Sequence, residues 1–205
     1  MTKNKYHWYD GWFYDVVIAP NQDKLFEQVK NLIEPGSRVI DIGCGTGRLE
    51  FAIAGKCQFV LGIDLSEKNI DRANLRLIQN PNDKISFLHN NVQELTGKGQ
   101  LHFDYAILTY VIHEVDEEER ITLLNEIALI ADKIIIGDYL VPRPKGFSGF
   151  LSEVIEFIAG SEHYRNYKSY MANGGNYHLA NMAGLKIINE TSNNPLSNHI
   201  VVLSK

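Results

Sequence analysis

The stretch Val39-Ile40-Asp41-Ile42-Gly43-Cys44-Gly45-Thr46-Gly47-Arg48-Leu49 decides the fold of this 205-residue chain. Its first four residues are apolar except for one acid, which predicts a short buried strand. Three alternate glycines follow and predict a tight turn where a ligand can approach the backbone. The residues after the turn predict a helix, whose first turn offers unpaired N–H groups. The stretch therefore predicts a strand, a binding loop and a helix in succession.

Strands and helices alternate on both sides of this loop. Periodic apolar residues predict helices over Asp23–Ile33, after Ser66 and after Asp116. The runs between them are continuously apolar, which favours a parallel sheet covered on both faces. At the end of the chain, two further runs are joined by a connection too short for a crossover helix, so they predict an antiparallel pair. The seven predicted strands are Arg38–Ile42, Phe59–Ile63, Ile85–Leu88, Tyr105–Leu108, Lys133–Gly137, Leu185–Thr191 and His199–Leu203.

The composition is that of a globular protein, with 44% apolar and 22% charged residues. A formal net charge of -5 disfavours broad nucleic-acid binding. The two cysteines form no CxxC pair, so we predict no metal site. The polar N-terminus and the absence of a long apolar run predict a cytoplasmic protein without stable membrane insertion. Nothing in the sequence indicates an oligomeric state.

Two kinds of ligand compete for the glycine loop. A dinucleotide site requires G-x-G-x-x-G, and the third glycine of that motif would fall at Arg48. Here the glycines alternate and Asp41 precedes them by two residues. A sulfonium cofactor has no phosphate, and an acid at this position can hold its ammonium directly or through water. Asp64 ends the second strand, where its carboxylate can accept both hydroxyls of an adenosine ribose.

Several motifs resemble those of the class I S-adenosylmethionine-dependent methyltransferases. Besides the loop, Val60-Leu61-Gly62-Ile63-Asp64-Leu65-Ser66 is similar to the family's second motif, and Asn91-Val92-Gln93-Glu94-Leu95 to the segment after its third strand. Residues 103–108 and 111–115 resemble the motif around the fourth strand. The resemblance implies a Rossmann-like, doubly wound, mainly parallel seven-stranded α/β sheet with an antiparallel C-terminal strand.

The resemblance also implies a set of site residues. S-adenosyl-L-methionine would be the cofactor and S-adenosyl-L-homocysteine the product. Asn91 replaces the family's usual Asp, and its amide oxygen can still accept a hydrogen bond from adenine. His113 is a candidate general base. The cofactor would be bound at its methionine end by Asp41, Gly43, Cys44, Gly45 and Gly47, at its ribose by Asp64 and Leu65, at its adenine by Asn91 and Val92, and elsewhere by Thr109 and Tyr14.

We predict one methyltransferase domain in four parts. Residues 1–33 form an N-terminal lid or helical segment, 34–140 the cofactor-binding core, 141–184 a substrate-side helical insertion and 185–205 the terminal β-pair. The aromatic residues of 6–15 predict either a lid over the cofactor or a part of the core. One face of a predicted helix carries Tyr164, Tyr167 and Tyr170. These tyrosines either pack in the core or line an acceptor site between residues 6–15 and 139–178.

The predicted activity is in-line transfer of a methyl group to a small-molecule acceptor. Thr109 stands where magnesium-assisted members place an acid, which predicts a metal-independent reaction. Two alternatives stay open: a non-catalytic cofactor-binding regulatory module and a nicotinamide-dependent oxidoreductase. A lipid or quinone acceptor reached through Phe147–Ile158 at a membrane surface is a further possibility.

Overall fold

A computed structural model describes residues 19–96, 101–143, 153, 156, 157, 160–193 and 198–205. The strands β1 to β7 form one sheet in the order β3-β2-β1-β4-β5-β7-β6. Strand β1 pairs in parallel with β2 and β4, and β2 with β3, whereas β7 is antiparallel to both β5 and β6. This confirms the predicted fold class. The strands are β1 Arg38–Ile42, β2 Phe59–Asp64, β3 Ile85–His89, β4 Phe103–Thr109, β5 Ala131–Tyr139, β6 Lys186–Asn193 and β7 Asn198–Ser204.

The described helices precede β1 or lie between successive strands. Ser66 caps α3 as predicted, because its side chain accepts a hydrogen bond from the Asn69 N–H. The first helix begins at Ala19, four residues before the prediction, and ends at Leu32. The seven labelled helices are α1 Ala19–Leu32, α2 Arg48–Ile53, α3 Glu67–Gln79, α4 Val92–Thr96, α5 Glu117–Ile130, α6 Ser161–Ala172 and α7 Gly175–Met182.

The chain divides into two compact units. The first comprises the residues up to Ile107 together with Ile130–Asp132, and the second comprises Leu108–Leu129 and Lys133–Lys205. In the first unit, β1 is completely enclosed along its last four residues. Within the described ranges, no helix is both long enough and apolar enough to cross a membrane.

Candidate functional site

The glycine loop joins β1 to α2 through backbone conformations that favour glycine. Gly47 has a φ of 79°, and a Cβ built there would lie 2.5 Å from Cζ of Phe87. Gly45 has a φ of 55°, and a Cβ built there would meet no described atom within 4 Å. Packing and backbone conformation therefore both require glycine at position 47, whereas no described residue crowds position 45.

Asp64, the predicted ribose ligand, also holds the loop in place. Its Oδ2 accepts a hydrogen bond from the Gly45 N–H at 2.8 Å, and its Oδ1 accepts one from the Ser66 N–H at 2.7 Å. The N–H groups of Gly43 and Cys44 donate to the Ile63 carbonyl at 2.8 and 3.0 Å. The end of β2 therefore orders the whole first half of the loop, which the sequence did not reveal.

The segment after β3 is tied to the same edge of the sheet. Asn90 donates from its N–H to the Asp64 carbonyl at 3.3 Å, and its Oδ1 accepts from the Asn91 N–H. The Asn91 Oδ1, predicted to accept from adenine, accepts from the Glu94 N–H at 2.8 Å at the start of α4. Val92 is buried. The fold thus brings the predicted residues after β1, β2 and β3 to the carboxyl ends of parallel strands, where α/β sheets bind ligands.

Cys44 is a packing residue of the loop in this structure. It is buried and belongs to an apolar cluster with Ile70, Ala73 and Phe87. Burial, followed by the charges of nearby acids, raises the pKa of its thiol well above the ordinary value. A thiol held in its protonated form is a poor nucleophile.

Asp41 has a partner that sequence reasoning missed. It lies beside Glu50 of α2, and both side chains are enclosed, with exposed fractions of 1% and 0%. Burial, and then the charge of Asp64, raise the pKa of Asp41 to about 7, although a hydrogen bond donated by the Glu50 carboxyl would lower it. The available sequence signal was the position of Glu50 between Leu49 and Ile53, which are buried with it in α2. A charged residue on a buried helix face rarely lacks a partner, so a partner for Glu50 could have been expected.

In the second unit, β4 ends at Thr109 in a strained residue. Tyr110 has a φ of 56°, a conformation that is unusual for an aromatic side chain. Its N–H donates to the Gly137 carbonyl at 2.8 Å, and its hydroxyl accepts from Nδ2 of Asn198 at 3.1 Å. Such strain persists where the surroundings over-determine it, and it is concentrated at functional sites. Tyr110 is therefore a site candidate that the sequence did not indicate.

His113 lies between two carboxylates of the second unit. Its Nδ1 is 2.7 Å from Oδ1 of Asp138, and its Nε2 is 3.5 Å from Oε1 of Glu156. All three side chains are buried. Burial alone would lower the pKa of His113, but the charges of Asp138 and Glu156, together with the hydrogen bond to Asp138, raise it well above its ordinary value. The geometry thus favours an imidazolium that compensates two buried charges.

Aromatic rings surround this histidine. Tyr139 donates its hydroxyl to Oε1 of Glu156 at 2.7 Å, and its ring centroid is 4.9 Å from that of His113. Tyr167 and Tyr170 are buried with centroids 6.4 and 6.3 Å from His113, in edge-to-face arrangements. Two of the three tyrosines predicted on one helix face therefore pack into this cluster.

A buried arginine fixes the backbone next to His113. Arg120 of α5 donates to the carbonyls of Val115 at 2.9 Å, His113 at 3.4 Å and Asn166 at 2.7 Å. Asn166 donates in turn to the Glu114 carbonyl at 2.9 Å. These bonds tie α5 and α6 to the segment that carries His113, and the role of Arg120 was not predicted from the sequence.

Some predicted parts lie outside the described residues. They are Tyr14, the whole aromatic segment 6–15, and all of Phe147–Ile158 except Glu153, Glu156 and Phe157. The choice between lid and core for 6–15 stays a prediction. Among the described residues, no group of three or more His, Cys, Asp or Glu side chains is arranged to hold a metal ion.

The family model of the methyltransferase domain matches residues 39–132, the part of the chain that contains the loop, Asp64 and Asn91. This match supports a class I S-adenosylmethionine-dependent methyltransferase. This confirms the resemblance carried by its motifs.

The methyltransferases to which this chain is similar differ in their names. It is 34% identical over 82 residues to a ubiquinone biosynthesis O-methyltransferase of Aromatoleum aromaticum, covering 40% of this chain and 35% of that protein. It is 26% identical over 169 residues to an uncharacterized RNA methyltransferase of Mycoplasma mobile, covering 81% of this chain and 43% of that protein. The chain therefore spans less than half the length of these two relatives.

A solved structure shares the fold over nearly the whole chain. Magnesium protoporphyrin IX methyltransferase from Synechocystis, with bound S-adenosylhomocysteine, superposes with a TM-score of 0.65 at 21% identity. The match covers 93% of this chain and 85% of that one. At this identity the likeness describes the fold.

Proposed function

We propose that the chain binds S-adenosylmethionine and transfers its methyl group to a small-molecule acceptor. The observation that carries the proposal is the loop of alternate glycines, tied through the Gly45 N–H to the carboxylate of Asp64. Both lie within the region that matches the methyltransferase domain. The activity and the acceptor of the whole protein belong to this proposal.

The residues present fit this cofactor. Oδ1 of Asp41 and Oγ1 of Thr46 are buried without a hydrogen-bond partner among the described residues. They belong to the loop region in which no described residue crowds Gly45. Asp41 would hold the ammonium, directly or through water, and Asp64 the ribose hydroxyls. Unsatisfied buried polar atoms of this kind call for a polar ligand or water.

When bound, the cofactor supplies a methyl group on a positively charged sulfur, which is already activated toward nucleophiles. The protein therefore contributes chiefly by orienting the reactants and excluding water. We assign His113 a positioning role instead of the predicted base, because both of its ring nitrogens face carboxylates. Further contacts to the cofactor are proposed for Leu65, Asn91, Val92 and Thr109, as the resemblance implies.

A small molecule is the acceptor class that we favour. The net charge of -5 provides no general attraction for a polyanion, and one relative is named for ubiquinone biosynthesis. An RNA acceptor is the second candidate, because the relative that aligns with 81% of this chain is named an RNA methyltransferase. A cytoplasmic location stays a prediction. The alternative function is a non-catalytic cofactor-binding module, which a screen for methyl transfer distinguishes from an enzyme.

The cofactor assignment predicts a clear order of affinities. We expect S-adenosylmethionine and S-adenosylhomocysteine to bind far more tightly than NAD, because Arg48 replaces the third glycine of a dinucleotide loop. Isothermal titration of the three ligands under one set of conditions measures this. An NAD affinity equal to or above that of S-adenosylhomocysteine would refute the assignment.

The reaction is expected to require no divalent metal, because Thr109 replaces the acid of magnesium-assisted members. A screen of metabolite extracts and of total RNA for transfer of a labelled methyl group identifies the acceptor. The turnover that it finds should be unchanged by EDTA. Loss of turnover in EDTA, with recovery when magnesium is added, would contradict the metal prediction. If only RNA is labelled, RNA is the acceptor in place of a small molecule.

A further inference from the structure

Asp41 and Glu50 are two buried acids that lie side by side, and the proposed cofactor site gives a role only to Asp41. We propose that Glu50 is a positioning residue that keeps a proton and donates it in a hydrogen bond to Asp41, while Asp41 releases its own proton when the cofactor's ammonium binds. This inference rests on the proposed function. It makes cofactor binding a proton-releasing step governed by the chain's own acids.

The fold holds the two carboxyl groups together in a closed space. Asp41 on β1 is directly opposite Gly62 on β2. A Cβ built on Gly62 would collide with Oε1 of Glu50 and would lie 2.7 Å from Cδ1 of Phe87. The glycine thus leaves the space that the Glu50 carboxyl occupies, between the sheet and an aromatic ring. Both carboxyl oxygens of Glu50 and Oδ1 of Asp41 are buried without a hydrogen-bond partner among the described residues, so a proton shared between the two carboxyl groups would satisfy them.

The charges around the pair oppose its ionisation. The titratable groups that face it are Asp64 at the end of β2 and Cys44 in the loop. Neither Asp41 nor Glu50 forms an ion pair with a Lys, Arg or His in the described part of the chain. Two contacting carboxyl groups without a cation cannot both ionise, so at least one proton resides on the pair.

Position decides which of the two acids releases its proton. Burial raises the pKa of both carboxyl groups above the ordinary value, so each favours its protonated form. Asp41 stands two residues before the glycine loop, where the ammonium would bind, whereas the Glu50 carboxyl is enclosed against Gly62 and Phe87. Asp41 is therefore the acid that gives up its proton, and Glu50 is the donor that keeps one. Binding an ammonium beside Asp41 stabilises its carboxylate and expels one proton to solvent, with no other bond made or broken.

The pH dependence of binding tests this inference. We expect the S-adenosylhomocysteine affinity to rise about tenfold per pH unit between about pH 5.5 and 6.5, and to level off above about 7. Titration calorimetry at about pH 6 in two buffers of different ionisation enthalpy should report close to one proton released per ligand. Methylthioadenosine, which keeps the nucleoside and lacks the amino-acid end, should bind with no such slope.

Variants of Glu50 distinguish a role as hydrogen-bond donor to Asp41 from a role in packing alone. Glu50→Gln keeps a hydrogen-bond donor and should retain the wild-type profile. Glu50→Leu removes the donor at similar volume, so the profile should move to higher pH and the affinity at pH 7 should fall on the order of tenfold. If Glu50→Leu does not fold, the wild-type proton count and the methylthioadenosine comparison still decide.

The outcomes separate the inference from the function beneath it. Tight binding of S-adenosylhomocysteine with no pH slope, or an equal slope for methylthioadenosine, overturns the proton linkage and leaves the cofactor assignment intact. No binding at any pH refutes the proposed function itself. An identical profile for Glu50→Leu and wild type overturns the role of Glu50.

Discussion

Replacement of Asp64 by alanine is expected to weaken S-adenosylhomocysteine binding by roughly 10- to 100-fold, because each charge-assisted hydrogen bond lost contributes on the order of 1.5–3 kcal/mol and water recovers a part. The variant loses the predicted bonds to the ribose hydroxyls. It also releases the N–H groups of Gly45 and Ser66, which the carboxylate accepts in the structure. Titration calorimetry of both proteins gives the ratio of dissociation constants.

Two further variants make the Asp64 result specific. Asp71 is exposed on α3, so Asp71→Ala removes the same charge elsewhere and should leave the affinity unchanged. Asp64→Asn keeps the size but places an amide group opposite a backbone donor, and should lose nearly as much affinity as the alanine variant. A folded Asp64→Ala protein with the wild-type dissociation constant would remove Asp64 from the cofactor site.

The second large effect concerns stability. His113→Ala should lower the free energy of unfolding by about 3–5 kcal/mol, because it leaves the buried carboxylates of Asp138 and Glu156 without their cation. For a chain of this size, the melting temperature should fall by roughly 6–20 °C. Thermal melts followed by circular dichroism measure the shift.

The controls distinguish compensation of charge from loss of packing. His178 is exposed on α7, so His178→Ala should melt close to wild type. Adding Glu156→Gln to His113→Ala removes one uncompensated charge and should recover a part of the lost stability. A His113→Ala protein that melts like wild type but has lost methyl transfer would instead restore the general-base role.

The pH dependence of stability has a definite sign. The folded pKa of His113 is raised above its ordinary value of 6.5, so the stability from its ion pairs is complete below about pH 6.5 and is lost as the pH rises through the folded pKa. Asp41, raised from 3.8 to about 7, also makes stability fall with rising pH, but below about pH 7. The decline above pH 7 should therefore be smaller in His113→Ala.

Local features of the chain could be predicted because their causes lie within a few residues. The strand, the glycine loop and the start of α2 follow one another between Val39 and Leu49, and the cap at Ser66 acts on Asn69. The predicted bounds of β1 were correct to the residue, since Pro35-Gly36 and Gly43 delimit the run on both sides. The placement of Asp64 at the carboxyl edge also followed, because parallel strands in sequence order bring their ends together.

The double use of polar side chains could not be predicted from the chain alone. Asn91 was interpreted as an adenine ligand, yet its oxygen also accepts from the start of α4. Asp64 was interpreted as a ribose ligand, yet it also binds the loop. A carboxylate or amide has several acceptor positions, and only the fold shows which backbone donors reach them.

By itself, the sequence determined the resemblance to methyltransferases, the sheet with its antiparallel end and the identity of the loop residues. Periodicity, glycine spacing and motif order are properties of neighbouring residues. Only the tertiary structure decided the partners of the buried charges. Glu50 reaches Asp41 because α2 packs over Gly62, and His113 receives Asp138 and Glu156 from distant parts of the chain. A burial environment depends on which segments fold together, and the pKa of an enclosed acid or histidine depends on that environment.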